Sequence, residues 1–571
     1  MIAIDFKDFH LHTNQVEEIL AAKKLDEVKP LLEKVESLWK KGFYAVGFVS
    51  YEAGPAFDPK LMVNKDNKLP LAWFAVFREP DHMTKNEFGD YQVGKWEPDC
   101  SRETYQQAIQ TIHDAIARGD TYQVNHTIRM HAEFHGDAWG FYRHLASLQS
   151  GYNACLDTGD FQILSVSPEL FFRWEQDQLI TRPMKGTAKR GRYQQEDDLR
   201  ARQLLASAKD RAENLMIVDL LRNDMGKIAV PGTVHVPDLF TVEQYPTLWT
   251  MTSTINAKTP PTTTLTDIFT ALFPCGSITG APKRKTMELI TSLEQSPREV
   301  YCGTIGYLKP GAEAVFNVGI RTVFIDQRRN KATYGVGGGI TWDSTSGGEY
   351  EEVITKAKIL ASKPYTHQLL ESIRLENGTY PLLEKHLNRM NESANYFAYA
   401  FPEEEIRSQL ALLSSKYPSG VYKVRLLVSS KGEIELQAEA LKNIVQPVIT
   451  TLAKTPISSE NIFLYHKTTN RQMYEELKVA GYFDTLLWNE RGELTEFTIG
   501  NLVLELDGKL VTPYRDAGLL AGVMRASLLE FGEVEERVLY REDLERASCI
   551  WLVNSVRGWI KVKLVYDKER L

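Results

Sequence analysis

Apolar residues recur along this chain with two spacings, and the switches between them divide it into strands and helices. The runs YAVGFVSYEA (44–53) and LAWFAVF (71–77) are short, nearly continuous and rich in aromatic and β-branched residues, as buried strands are. Between and before them, VEEILAAKKLDEVKPLLEKVESLWKK (16–41) spaces its apolar residues three and four apart and predicts one charged helix. From Ser101 to about Leu360, helical patterns alternate with strand-like runs such as AVFNVGIRTVFI (314–325) and KATYGVGGGITW (331–342), and the helix-like EYEEVITKAKIL (349–360) closes the region. The polar SKPYTH (362–367) interrupts the periodicity and carries Pro364, which predicts a short linker there. Beyond it the pattern restarts with a helix, PLLEKHLNRMNESANYF (381–397). Strands VYKVRLLVSS, TLLWNERG and NLVLELDGKLVTP follow, with NG, KG, RG and DG turns around them. The expected organisation is therefore residues 1–361, a linker at 362–367, and a separate α/β unit at 368–571. The first part divides into an amino-terminal lobe at 1–95 and a catalytic region at 96–361.

At 571 residues the chain is too long for one core, and 43% apolar with 25% charged residues describes a globular protein. A net charge of −8, without a basic block, argues against a nucleic-acid partner. No apolar run is long enough to span a membrane and the first residues lack a secretory pattern, so a cytoplasmic protein is expected. Five cysteines (Cys100, Cys155, Cys275, Cys302, Cys549) are odd in number and never in CxxC spacing, which argues for reduced thiols over disulfides or zinc.

Candidate chemistry concentrates in a few strings. On a helix, Glu349, Glu352 and Lys356 share one face at i, i+3 and i+7; paired carboxylates there suit Mg²⁺, or else form a solvated charged face. Glu213 lies in the apolar helix-like run DRAENLMIVDLLRND, where an ionised carboxylate needs a cation or a salt bridge. Glu169, between apolar neighbours in VSPELFF, is placed to have a raised pKa and serve as a general acid. In FLYHKTTNRQMY, Lys467 stands outside any charge run and is a Schiff-base candidate. Glu496 and Asn501 follow at the start of an apolar strand, and Gly522 opens a helix whose first N–H groups can bind phosphate.

SPELF, RPMKGTAKRG, AENLMIVDLLRND, FPCGSITGAPK, GTIGY, NVGIRT, YGVGGGITWDS and EYEEVITK occur in the order seen in the chorismate-utilising enzymes, which include component I of anthranilate and aminodeoxychorismate synthases. The earlier GFVSYEAG resembles the amino-terminal part of the same synthases. The resemblance implies a Mg²⁺ site at Glu213, Glu349 and Glu352, Glu169 as the acid for the departing hydroxyl, and Arg321 as a carboxylate clamp. Lys356 becomes a further anion contact. Gly337, Gly338 and Gly339 become an anion cradle, a tight bulge or turn being the plainer reading of the same glycines. Lys185 in PMKGT matches the aminodeoxychorismate synthases, whose relatives making anthranilate carry Ala there; it is read as a nucleophile, or else as a lysine that only binds a carboxylate. The segment 248–253 lacks a His that many relatives carry, leaving Thr250 or another group in its place.

The second half resembles the class IV, aminotransferase-like pyridoxal-phosphate enzymes, which include 4-amino-4-deoxychorismate lyase. That implies Lys467 as cofactor lysine and acid/base catalyst and Glu496 as partner of the pyridine nitrogen. Arg389 and Ser555 would be phosphate contacts, and Val523 and Met524 would bind the phosphate through their backbone. The implied fold is α+β: a chorismate-utilising domain of antiparallel sheets flanked by helices, then a two-lobed α/β class IV domain. The implied function is chorismate plus ammonia to 4-amino-4-deoxychorismate and on to 4-aminobenzoate, with Mg²⁺ and pyridoxal 5′-phosphate as cofactors. No cysteine has a glutaminase-like setting, so free ammonia or a separate glutaminase subunit is expected, and class IV relatives lead us to expect a homodimer. Two alternatives remain: an aminotransferase in the second half, or a half kept as a non-catalytic sensor or scaffold.

Overall fold

The computed structural model describes residues 1–80, 89–149, 151–361 and 367–565. Residues pack into two compact units, Met1–Lys189 with Ala201–Tyr365, and Arg190–Arg200 with Thr366–Leu571. The linker expected at 362–367 lies, apart from His367, outside the described residues.

The first unit is built on two ten-stranded sheets among the described residues, with every strand pairing antiparallel. Period-two alternation explains how they stack. In the strand Tyr44–Val49, Val46 and Phe48 face a core shared with Ile2, Ile4 and Ile163 of the other sheet. Ala45 and Val49 face the opposite way, onto the helices Leu25–Lys40, Ala208–Gly226 and Leu265–Leu272. The other sheet turns its outer face to helices Arg102–Ala117, Ala138–Leu148 and Ser346–Ala357, through Ile112, Tyr142 and Val353. The order is thus helices, sheet, sheet, helices.

One element differs from the sequence reading here. The single helix expected over 16–41 is a strand, Glu18–Ala22, followed by a helix that begins at Leu25. Pairing with Ala72–Phe77 supplies Glu18–Ala22 with ladder hydrogen bonds that outweigh its helical spacing. The strand-like run expected over 331–342 is a strand, Lys331–Ile340, in which GVGGG forms neither turn nor bulge: it keeps unbroken register with Gln123–Gly136, Gly337 facing Thr127 and Gly339 facing Asn125.

The second unit begins with a strand, Leu369–Glu376, and not with the helix expected, which comes next as Leu383–Phe397. That strand heads a three-stranded antiparallel sheet covered by Leu383–Phe397 and Glu403–Lys416 around Ile373, Leu387 and Leu410. An eight-stranded mixed sheet follows, and the pairing of Leu494–Phe497 with Gly500–Leu506 closes it on itself around Leu486, Leu502 and Ile560. The DG turn is legible down to its dihedrals: Asp507 and Gly508 both have positive φ, 52° and 77°, as a two-residue hairpin requires.

Candidate functional site

Each unit holds one large cavity. The first, about 370 Å³, is lined by Glu169, Lys185, Glu213, Arg321, Gly337, Gly338, Gly339, Glu349, Glu352 and Lys356. Every residue expected for a chorismate-binding site, scattered over almost two hundred positions, therefore faces one space.

The helix Ser346–Ala357, capped by the Thr345 hydroxyl accepting from Gly348 N–H at 3.3 Å, turns Glu349, Glu352 and Lys356 toward the glycine strand. A β-carbon at Gly338 would lie 3.3 Å from Glu349 Oε2, 3.7 Å from Lys356 Nζ and 3.9 Å from Glu352 Oε1. Lys356 donates to Glu352 (2.7 Å) and to Gly337 O (2.9 Å). Burial, first, and the Glu352 charge push Glu349 above the ordinary carboxylate pKa. Burial also raises Glu213, while Glu352 is held below the ordinary range by Lys356 against the effect of burial. Two half-buried carboxylates lacking full compensation suit a hard divalent cation. As placed, no three His, Cys, Asp or Glu side chains among the described residues are grouped closely enough to hold an ion.

Lys185 enters from the strand Met184–Lys189, and burial lowers its amine below the ordinary lysine pKa; Lys356 acts in the same direction, while Glu213 and Glu169 oppose it. Glu169 is 3% exposed and one carboxylate oxygen has no partner. Burial pushes its pKa up to about 7, with a hydrogen bond from Ser277 and the charge of Lys185 pulling it back. Arg321, at φ 50°, hydrogen-bonds Gln149 through its guanidinium. Thr250 lines the cavity with its buried hydroxyl unpartnered. Sequence reasoning missed Asn125, Ser277, Tyr301, Tyr334 and Ser344 in this lining. Ser277 had a signal inside FPCGSITGAPK, and Tyr334 and Ser344 had one at the two ends of YGVGGGITWDS.

The second cavity, about 530 Å³, is lined by Arg389, Lys467, Glu496, Gly522, Val523 and Ser555, and in addition by Lys423, Arg425, Arg471, Tyr474 and Arg557. Lys467 is fixed by its backbone: its carbonyl accepts from Leu370 N–H at 3.0 Å. Burial, then the Arg389 charge, brings its pKa down to about 8. Glu496 is 3% exposed and accepts from Tyr474 Oη (2.7 Å), Leu520 N–H (3.1 Å) and Asn501 Nδ2 (3.2 Å), yet burial still pushes it up to about 7. Arg389 forks onto Glu371 at 2.8 and 2.6 Å, and Glu371 also meets His386 Nδ1 at 2.7 Å. Gly522 is the N-cap of Val523–Glu530, whose free N–H groups open on the cavity rim. A lysine of lowered pKa, a buried carboxylate and a helix start fit an aldehyde cofactor bearing a pyridine ring and a phosphate. Met524 is not in the lining; its side chain packs with Val503, Leu528, Val534 and Val553.

Residues 3–362 match the model of the chorismate binding enzymes, and the chain belongs to that family. Residues 368–565 match the amino-transferase class IV model. Among relatives, aminodeoxychorismate synthase component 1 of Salmonella typhimurium is 42% identical over 262 residues, 46% of this chain and 57% of that protein. Anthranilate synthase component 1 of Aquifex aeolicus is 34% identical over 266 residues, 46% of this chain and 53% of that protein. The crystal structure of anthranilate synthase component I from Streptococcus pneumoniae superposes with a TM-score of 0.53 at 25% identity, covering 63% of this chain and 90% of that one. The resemblances and the α+β fold read from the motifs are thereby borne out. The match to the Salmonella protein spans little more than half of that relative's length. No helix among the described residues is long and apolar enough to cross a membrane.

Proposed function

We propose that the chain makes 4-aminobenzoate in two steps, chorismate and ammonia to 4-amino-4-deoxychorismate in the first cavity and release of pyruvate from that compound in the second. The observation that carries the reading is Lys185: an amine of lowered pKa beside a protonatable Glu169, inside a cavity of a chorismate binding enzyme.

In the first step the Lys185 Nζ lone pair adds at C2 of the ring, both ring double bonds shift, from C1=C2 to C1=C6 and from C5=C6 to C4=C5, and the C4 hydroxyl leaves as water with the Glu169 proton. Ammonia then adds at C4, both double bonds return, and Lys185 is expelled, so that water is the only other product. Arg321 grips a substrate carboxylate as a planar fork. Glu213, Glu349 and Glu352 would hold Mg²⁺, which when bound supplies positive charge to the substrate carboxylate and Lewis acidity at the ring. The chain's cysteines lie in no glutaminase-like setting, so ammonia comes from solution or from a separate glutaminase subunit.

In the second step Lys467 takes the proton from C4 and returns one to the departing three-carbon group, which leaves as pyruvate while the ring becomes aromatic. Glu496 would hold the pyridine nitrogen, and Arg389, Ser555 and the N–H groups from Val523 onward would take the phosphate. Pyridoxal phosphate, when bound, supplies the electron sink. We place both steps in the cytoplasm, with the chain acting as a homodimer.

The test is chromatography of the products formed from chorismate, ammonium, Mg²⁺ and pyridoxal phosphate. The reading predicts 4-aminobenzoate and pyruvate in equal amounts. Anthranilate as the sole aromatic product would overturn the first half; amino-group exchange between an amino acid and 2-oxoglutarate, without pyruvate release from supplied aminodeoxychorismate, would overturn the second.

A further inference from the structure

Gln123 opens the strand Gln123–Gly136 and is fully buried, at 0% exposure. Neither its amide oxygen nor its amide nitrogen has a hydrogen-bond partner among the described residues. Leaving both ends of a primary amide unmet in the interior costs stability, and a residue kept at such a cost calls for a reason outside packing.

Its neighbours supply one. Gln123 and Asn125 lie two apart on one strand and so on the same face, and Asn125 lines the first cavity. The strand register sets Gly339 opposite Asn125 and diagonal to Gln123. A β-carbon on Gly339 would sit 2.2 Å from Gln123 Nε2 and 2.9 Å from Lys185 Nζ, so the amide and the amine crowd the same point, in the space that the glycine leaves. Among the described residues Lys185 Nζ has no hydrogen-bond partner, unlike Lys356, which is tied to Glu352 and Gly337.

We propose that Gln123 is the positioning residue for Lys185: its amide oxygen accepts one N–H of Nζ and thereby aims the amine lone pair into the cavity. The amide turns end for end without changing its packing, since oxygen and nitrogen are nearly the same size. A free lysine head rotates among three staggered positions; one hydrogen bond at a buried site selects one of them, and attack geometry depends on that selection. Gly339 then has a second duty besides lining the cavity, which is to keep room for this contact. The inference rests on the reading of Lys185 as nucleophile.

The test uses the full chain carrying Gln123→Leu, which keeps the bulk and removes the amide. The expected result is a kcat for chorismate and ammonium lowered about a hundredfold with KM for chorismate little changed. Pyruvate release from supplied aminodeoxychorismate stays at the parent's rate, and the melting temperature stays close to the parent's, since the hydrogen bond lost to Lys185 is offset by the removal of a buried amide nitrogen without a partner. Carbamylation of Lys185 by cyanate, followed by peptide mass spectrometry, slows relative to the parent and reads the amine without turnover. A kcat within twofold of the parent with unchanged cyanate labelling would overturn the proposal. So would a lowered melting temperature accompanied by loss of both activities, the mark of a structural glutamine; Gln123→Met serves if the Leu variant does not fold. If the parent itself leaves chorismate untouched, the functional reading fails, and the cyanate labelling alone still decides the role of Gln123.

Discussion

Glu169 carries a pH dependence that bears directly on the first cavity. Its folded pKa, about 7, exceeds the ordinary 4.5, so the folded state binds its proton more tightly than the unfolded chain does. The contribution to stability is full below about pH 4.5 and is lost as pH rises through 7, a difference of order 3 kcal/mol. Glu169→Gln should therefore raise the melting temperature at pH 8 and leave it unchanged near pH 4, as differential scanning calorimetry can measure. The same substitution should lower chorismate turnover by about a hundredfold or more, the usual weight of a general acid. Residue-scale chemistry was legible wherever one string set its own geometry: the i, i+3, i+7 spacing of Glu349, Glu352 and Lys356 needed only a helix, and the helix is there. It was not legible where the partner comes from far along the chain. Gln123 and Lys185 come together from strands of different sheets, Ser277 reaches Glu169 from the short helical turn Gly276–Ile278, and Tyr474 reaches Glu496 from the helix Gln472–Leu477.

At the scale of elements, the glycine strand Lys331–Ile340 is the part on which the first cavity turns. Its glycines have different tasks, and alanine should separate them. At Gly337 a β-carbon would meet the His126 carbonyl oxygen at 2.2 Å, a backbone atom that cannot yield without breaking the pairing. At Gly339 the obstacles are the far ends of Gln123 and Lys185, which can swing away. Gly337→Ala should cost folding, read as insoluble protein or a melting temperature lowered by several degrees. Gly339→Ala should melt near the parent temperature while losing about a hundredfold or more in chorismate turnover, because the displaced atom is the nucleophile. From sequence the run read as strand-like, with its glycines open to a turn, a bulge or an anion cradle. Period alone cannot tell a strand kept bare for close approach from a loop, since glycine serves both. The misread helix at 16–41 has the opposite cause: Glu18–Ala22 has helical spacing but is claimed by a neighbouring strand some fifty residues on.

For the whole molecule, two cavities in two packing units were legible chiefly through motif order, which survives ignorance of every contact. The uptake of Arg190–Arg200 into the second unit was not, since the string RPMKGTAKRG runs on without a break in pattern. If the units work in series, removing the metal should divide them. Chelation by EDTA should stop chorismate consumption and leave pyruvate release from supplied aminodeoxychorismate intact, followed by coupled lactate dehydrogenase absorbance.

The claim of two sites acting in order is tested most directly by mixing two single variants. Lys467→Ala alone should consume chorismate and accumulate aminodeoxychorismate without 4-aminobenzoate, and Lys185→Ala alone should do neither. Combined in one tube with chorismate, ammonium, Mg²⁺ and pyridoxal phosphate, they should recover 4-aminobenzoate, the intermediate passing through solution from one chain to the other. Release of 4-aminobenzoate by the Lys467→Ala protein alone at the parent rate would contradict the account.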